Sequence, residues 1–196
     1  MDKNTQVLVV SGTAEQPLDL TIGRIFQDFD ILEEVTISHA SVPAIGDSSF
    51  WPGKRIRYLN LSHNRISILK ETDFIGLSHL LELNLSDNLL SIVPSAAFER
   101  LTNLTSLNLS GNKLTRLVPR MFYKLDNLHH LDLSFNPLSD LDAVDVKDSK
   151  GSLKRLLLVG CKLTRVHSLV YQTLPNLEVS LMTRESSVMN PVIDLT

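Results

Sequence analysis

The residues of this chain that could do chemistry are few, and their spacing is regular. His39, His63 and Asp87 follow one another at intervals of 24 residues, and His130 stands two places before Asp132. Imidazole and carboxylate are common zinc ligands, so a metal site would be sought there. A column of serines, Ser38, Ser62, Ser86, Ser110 and Ser134, repeats at the same interval of 24. A nucleophilic serine needs a His and an Asp converging on it, and an evenly repeated column offers no such convergence. No G-x-S-x-G, H-E-x-x-H or phosphate-loop motif occurs. We therefore expect no catalytic residues, no metal and no cofactor. Four N-x-S/T sequons, at Asn60, Asn84, Asn103 and Asn108, can accept glycans if the protein is secreted.

The interval is set by the elements that carry these residues. IRYLNLSHNRISILKETDFIGLSH from Ile56, LLELNLSDNLLSIVPSAAFERLTN from Leu80 and LTSLNLSGNKLTRLVPRMFYKLDN from Leu104 are three consecutive copies of one 24-residue unit. A fixed period in this range signals a stacked array of a single supersecondary unit. Each unit opens LxxLxL, where apolar residues at the fourth and sixth places predict a short strand with one buried face. The ninth place holds Asn64, Asn88, Asn112 and Asn136, whose amides can both donate to and accept from the turn that leaves the strand. Phe74, Phe98 and Phe122 align near the units' ends as fillers of the outer core wall. Every connection returns the chain to the same side, so the strands must be parallel.

The pattern makes residues 1–196 one domain. Residues 1–31 read as an irregular N-terminal cap with a strand near Val7–Val10, because a terminal unit must cover the open end of the stack. Residues 32–182 hold about seven repeats, with Asp142–Ser152 the most divergent loop. Residues 183–196 are a tail or the remnant of a C-terminal cap, or the stack runs on beyond them.

With LxxLxLxxNxL repeated at constant spacing, the sequence resembles the leucine-rich repeat family. The resemblance implies an α/β fold, a right-handed curved solenoid with a parallel β-sheet on the concave face and short 3₁₀ or extended convex segments. Cys161 falls on the ladder place where that family alternates Asn and Cys, which makes it a structural thiol rather than a reactive one. Units of 24 residues with FxxLxxL, as in Phe98, Leu101 and Leu104, resemble those of secreted and cell-surface members. That resemblance implies an extracellular or cell-surface setting. With a single cysteine the chain lacks the cysteine-clustered caps of such ectodomains, and an intracellular scaffold or a regulatory domain of a larger protein is the alternative.

Composition reads as globular rather than disordered, and nothing in it asks for nucleic acid. The net charge is -3, with 7 Lys/Arg against 12 Asp/Glu in residues 1–98 and 12 against 10 in residues 99–196. No apolar run reaches the roughly 18 residues of a membrane span, and no signal peptide is recognisable at the start. The expected partner is a protein ligand, met by the outward strand places three, five and seven. Place three reads Glu34, Tyr58, Glu82, Ser106, His130, Arg155, Val179; place five reads Thr36, Asn60, Asn84, Asn108, Asp132, Leu157, Leu181. Tyr and Arg dominate interface energetics, so Tyr58 and Arg155 lead the candidates, with Glu34, Glu82, His130 and Asp132 beside them. Phe135, at the eighth place, is a further apolar anchor or packs on its neighbours. Among the sequons, Asn103 stands outside the strand column and is the expected acceptor. Of the crowded Asn60, Asn84 and Asn108, one or two at most, Asn60 first, would carry a glycan.

Overall fold

The computed structural model describes residues 4–13, 15–16, 18–22, 26, 29–51, 53, 55–142, 146, 152–167, 178–180 and 193–194. Tyr171, Leu174 and, apart from residues 193–194, the C-terminal tail lie outside them. Each repeat contributes one rung to a parallel sheet: β1 (Val7–Ser11), β2 (Glu34–Ser38), β3 (Tyr58–Asn60), β4 (Glu82–Asn84), β5 (Ser106–Asn108) and β6 (His130–Asp132). After the short β7 (Asp140–Leu141) come β8 (Arg155–Leu157), β9 (Arg165–His167), β10 (Glu178–Ser180) and β11 (Ile193–Asp194). The main sheet has the order β1-β2-β3-β4-β5-β6-β8-β10, and β11-β9-β7 form a second, three-stranded parallel sheet from the part of the coil that follows the Asn turn. The chain is thus a solenoid with the predicted parallel sheet.

The first unit is more than a cover. β1 is five residues long and pairs with β2 in register from Val7 opposite Glu34 to Ser11 opposite Ser38, while Phe26 stacks on Phe50 with ring centroids 5.0 Å apart. The irregular start therefore supplies both a rung and a spine ring. At the other end the register corrects one expectation. Glu178, not Val179, is the partner of Arg155, and Ser180 is the partner of Leu157. A slip of one residue exchanges the two faces of a strand, and the observed register sets Val179 opposite Leu156.

Inside the coil the leucines at places one, four and six form one continuous core. Leu104, Leu107 and Leu109 are at most 1% exposed, as are Phe26, Phe50, Phe74, Phe98 and Phe122. Val146 takes the ring's place in the unit of the divergent loop and is equally buried. The convex side is a string of 3₁₀-type turns, in which Leu101 N–H donates to Phe98 C=O at 2.9 Å and Leu104 N–H to Leu101 C=O at 2.9 Å. The same pattern links Leu125 to Phe122 and Leu128 to Leu125 one unit later. No long helix is needed because each turn only has to carry one aromatic ring into the core.

Asp73 is the odd residue of that convex side. It is 1% exposed; its Oδ2 accepts the Lys70 N–H at 2.8 Å, while Oδ1 has no partner among the described residues. Burial pushes its carboxyl above the ordinary 3.8, and the Lys70 N–H and the Lys70 charge offset part of this. The folded state then holds the proton more tightly than the unfolded chain. Its stabilising effect is complete below about pH 3.8 and is lost as pH rises through the raised value. The next unit has Ala97, also buried, at this place. In paired urea titrations, Asp73→Ala should gain stability relative to the parent between about pH 4 and pH 7. A difference between the two proteins that stays flat over that range would show that the carboxyl is unperturbed.

Candidate protein-binding face

The strands are short because place five ends them. Asn60 Oδ1 accepts the Ser62 N–H at 3.0 Å, Asn84 that of Ser86 at 2.9 Å, Asn108 that of Ser110 at 2.9 Å and Asp132 that of Ser134 at 2.9 Å. These side chains turn the backbone out of the strand two residues on. The expectation that place seven faces a partner is therefore corrected. Ser62, Ser86 and Ser134 are buried, since the turn has carried them off the sheet face, and Ser38, which ends β2 beside Ser11 of β1, is buried as well. Places three and five present the side chains there, and of place seven Ser110 and Val159 are half-buried.

On that face the sheet register sets Glu34, Tyr58, Glu82, Ser106, His130 and Arg155 side by side. They form two adjoining depressions. One, of about 310 Å³, is lined by Glu34, Thr36, Tyr58, Asn60, Glu82, Asn84 and the strand backbones. The second, of about 230 Å³, is lined by His130, Asp132, Arg155 and Leu157, and the two share Ser106 and Asn108. Six of the predicted contact residues are thus brought onto one surface. Val7 and Val9 of β1, both more than half exposed, extend places three and five by one more rung. The expected strand near Val7–Val10 is present, but the period could not assign its register because Val7 stands 27 residues before its partner Glu34.

Phe135 is not on the strand columns. It lies in the turn at place eight, with φ 56°, beside the equivalent residues His39, His63, Asp87, Gly111 and Gly160, all of which also have positive φ. The side chains of this row stack from unit to unit. The His39 and His63 rings are 4.5 Å apart and nearly parallel, and His63 Nε2 stands 3.6 Å from Asp87 Oδ2. Phe135 covers Gly160, where a Cβ would come within 2.6 Å of Cδ1 of the ring. The ring is nonetheless 51% exposed. Left-handed backbone is why two glycines occur at this place, a signal the sequence carried and the strand pattern masked. Among the described residues no three His, Cys, Asp or Glu side chains converge in a way that could hold a metal ion.

Behind the face, the ninth-place amides join the coils. Asn112 Nδ2 donates to Leu85 C=O at 2.9 Å in the preceding unit and to Leu109 C=O at 3.0 Å in its own, while its Oδ1 accepts the Leu90 N–H at 3.0 Å. Asn136 repeats the set, accepting the Leu114 N–H and donating to Leu109 C=O. Cys161 continues the row by donating to Leu133 C=O at 3.3 Å, and burial pushes its thiol pKa up. A thiol so held is a poor nucleophile.

A family model for the leucine rich repeat matches residues 31–90 and 82–138, together more than half of the chain. The chain belongs to the leucine-rich repeat family. The match stops at residue 138, yet β8 and β10 carry the leucine-rich repeat sheet two rungs farther. A search among curated proteins finds no match. Leucine-rich repeat domains generally bind proteins and typically perform no chemistry, which agrees with a site built of a face rather than a cleft. Among the described residues no helix is long and apolar enough to cross a membrane.

Asn103 lies outside this face. It is exposed, and its Nδ2 donates to Ser78 C=O at 2.7 Å. Asn127, at the same place one unit later and not in a sequon, makes the same bond to Thr102 C=O at 2.9 Å. Asn60, by contrast, is half-buried inside the larger depression.

Proposed function

We propose that this leucine-rich repeat domain recognises a protein ligand on the concave sheet face, as part of a cell-surface receptor, adhesion or secreted protein. The observation that carries the reading is the contrast between the columns. Places four, six and nine hold only Leu, Ile, Val, Asn, Ala or Cys from β2 to β8, while place three runs through Glu, Tyr, Glu, Ser, His and Arg. Eight strands about 4.8 Å apart span roughly 34 Å, enough for a standard interface of about 800 Å² per partner.

The extracellular setting rests on the 24-residue FxxLxxL units and on the exposed sequon at Asn103. A glycosylated amide keeps one N–H, so the bond to Ser78 can survive modification. On expression through a secretory pathway, glycosidase treatment should lower the mass, and Asn103→Gln should remove most of that shift. Absence of any shift, with the native protein residing in the cytosol, would exclude that setting. For the face itself, Tyr58→Ala and Arg155→Ala should each weaken the ligand about tenfold or more with an unchanged unfolding midpoint. Full affinity in both variants would place the binding site elsewhere.

A further inference from the structure

The geometry points to a partner that inserts a basic side chain, the guanidinium of Arg or the ammonium of Lys, over Tyr58 between Glu34 and Glu82. This rests on the concave-face reading above and specifies the chemistry of one end of it. Tyr58 is 38% exposed and is flanked in register by Glu34 on β2 and Glu82 on β4. Both carboxylates are exposed, and among the described residues neither is held by an ion pair or side-chain hydrogen bond. Arg57, next to Tyr58 in sequence, pairs with neither of them. Among the described residues that line this depression there is no Lys, Arg or His.

Charge complementarity selects the occupant. An exposed tyrosine ring attracts a cation within about 6 Å of its centre, and two uncompensated carboxylates beside the ring add to that attraction. The carboxylates rise from strands about 9.6 Å apart with the ring between them. That layout suits a flat guanidinium stacked on the ring, its N–H groups reaching to either side, better than a metal ion whose oxygen ligands must close to about 2–2.6 Å. At longer range the same half of the chain, residues 1–98, carries 12 acidic against 7 basic side chains, so the field draws a basic group toward this end.

The test is a titration of the isotopically labelled whole chain with N-acetyl-arginine amide, which carries the cation and no carboxylate, followed by amide NMR. Shifts should concentrate at residues 34, 58 and 82 and saturate in the millimolar range, while N-acetyl-glutamate amide should produce none there. Tyr58→Ala, and separately the double variant Glu34→Gln with Glu82→Gln, should weaken the effect about fivefold or more. Ile92→Ala, at an exposed residue that lines neither depression, should leave it unchanged. Shifts scattered over the surface, or shifts that persist in both the Tyr58 and the Glu34/Glu82 variants, would overturn the inference. That result would leave ligand binding by the rest of the face standing. Only a ligand indifferent to both Tyr58→Ala and Arg155→Ala removes the face itself.

Discussion

Asn112→Leu should lose about 3–5 kcal/mol of stability although it places an apolar side chain in an apolar interior. The amide bridges Leu85 C=O, Leu109 C=O and Leu90 N–H, all of them groups of buried residues on two successive coils. Leucine satisfies none of these, and each buried group left without a partner costs about 1–3 kcal/mol. The chain supplies its own control. At the equivalent place Cys161 donates to Leu133 C=O, so a thiol replaces part of the amide's function. Asn112→Cys should therefore lose clearly less than Asn112→Leu in urea unfolding. If the cysteine variant is the weaker of the two, polarity at this place is not what holds the coils together, and volume decides instead.

Phe98→Ala should lose about 3–5 kcal/mol, through the cavity left when a fully buried ring is removed. Phe98 is 0% exposed and lies 5.8 Å, centre to centre, from Phe74 in the preceding unit. The 3₁₀-type turns that carry these rings, Leu101 onto Phe98 and Leu104 onto Leu101, leave the convex backbone little freedom to collapse into the gap. Phe98→Val should lose less, because Val146 already fills this place in the unit of the divergent loop at 0% exposure. The urea midpoint should fall with an unchanged slope, since neighbouring coils share one core and unfold together. A loss below about 1 kcal/mol would mean that the ring spine packs loosely and that the leucines alone carry the core.

Much of the scaffold is legible in the sequence because a repeat states the same physical requirement several times over. Leu107 alone would be ambiguous; Leu59, Leu83, Leu107 and Leu131 at one interval are not, and all four are buried at the centres of their strands. The asparagines, the phenylalanines and the parallel strand order follow in the same way. The reading weakened wherever the period broke. Val7 and Val9 lie on an off-period first unit, and Glu178 follows a unit one residue short, so the columns at both ends had to be taken from the sheet itself.

The candidate site was half legible. Glu34, Tyr58, Glu82, His130, Asp132 and Arg155 occupy one face because strand alternation alone puts them there. Ser62 and Ser86 follow the same alternation and yet are buried, since Asn60 and Asn84 accept their N–H groups and turn the chain away. Phe135 is likewise a turn residue that rests on Gly160. Taken by itself, the sequence determined the period, the buried set and the parallel order, because burying one apolar face per coil admits a single arrangement of those residues. Only the tertiary structure decided where each strand stops, which polar residues stay on the surface and that two glutamates flank a tyrosine with no cation beside them among the described residues. Those outcomes depend on hydrogen bonds and distances between coils, which a period of identical leucines does not encode.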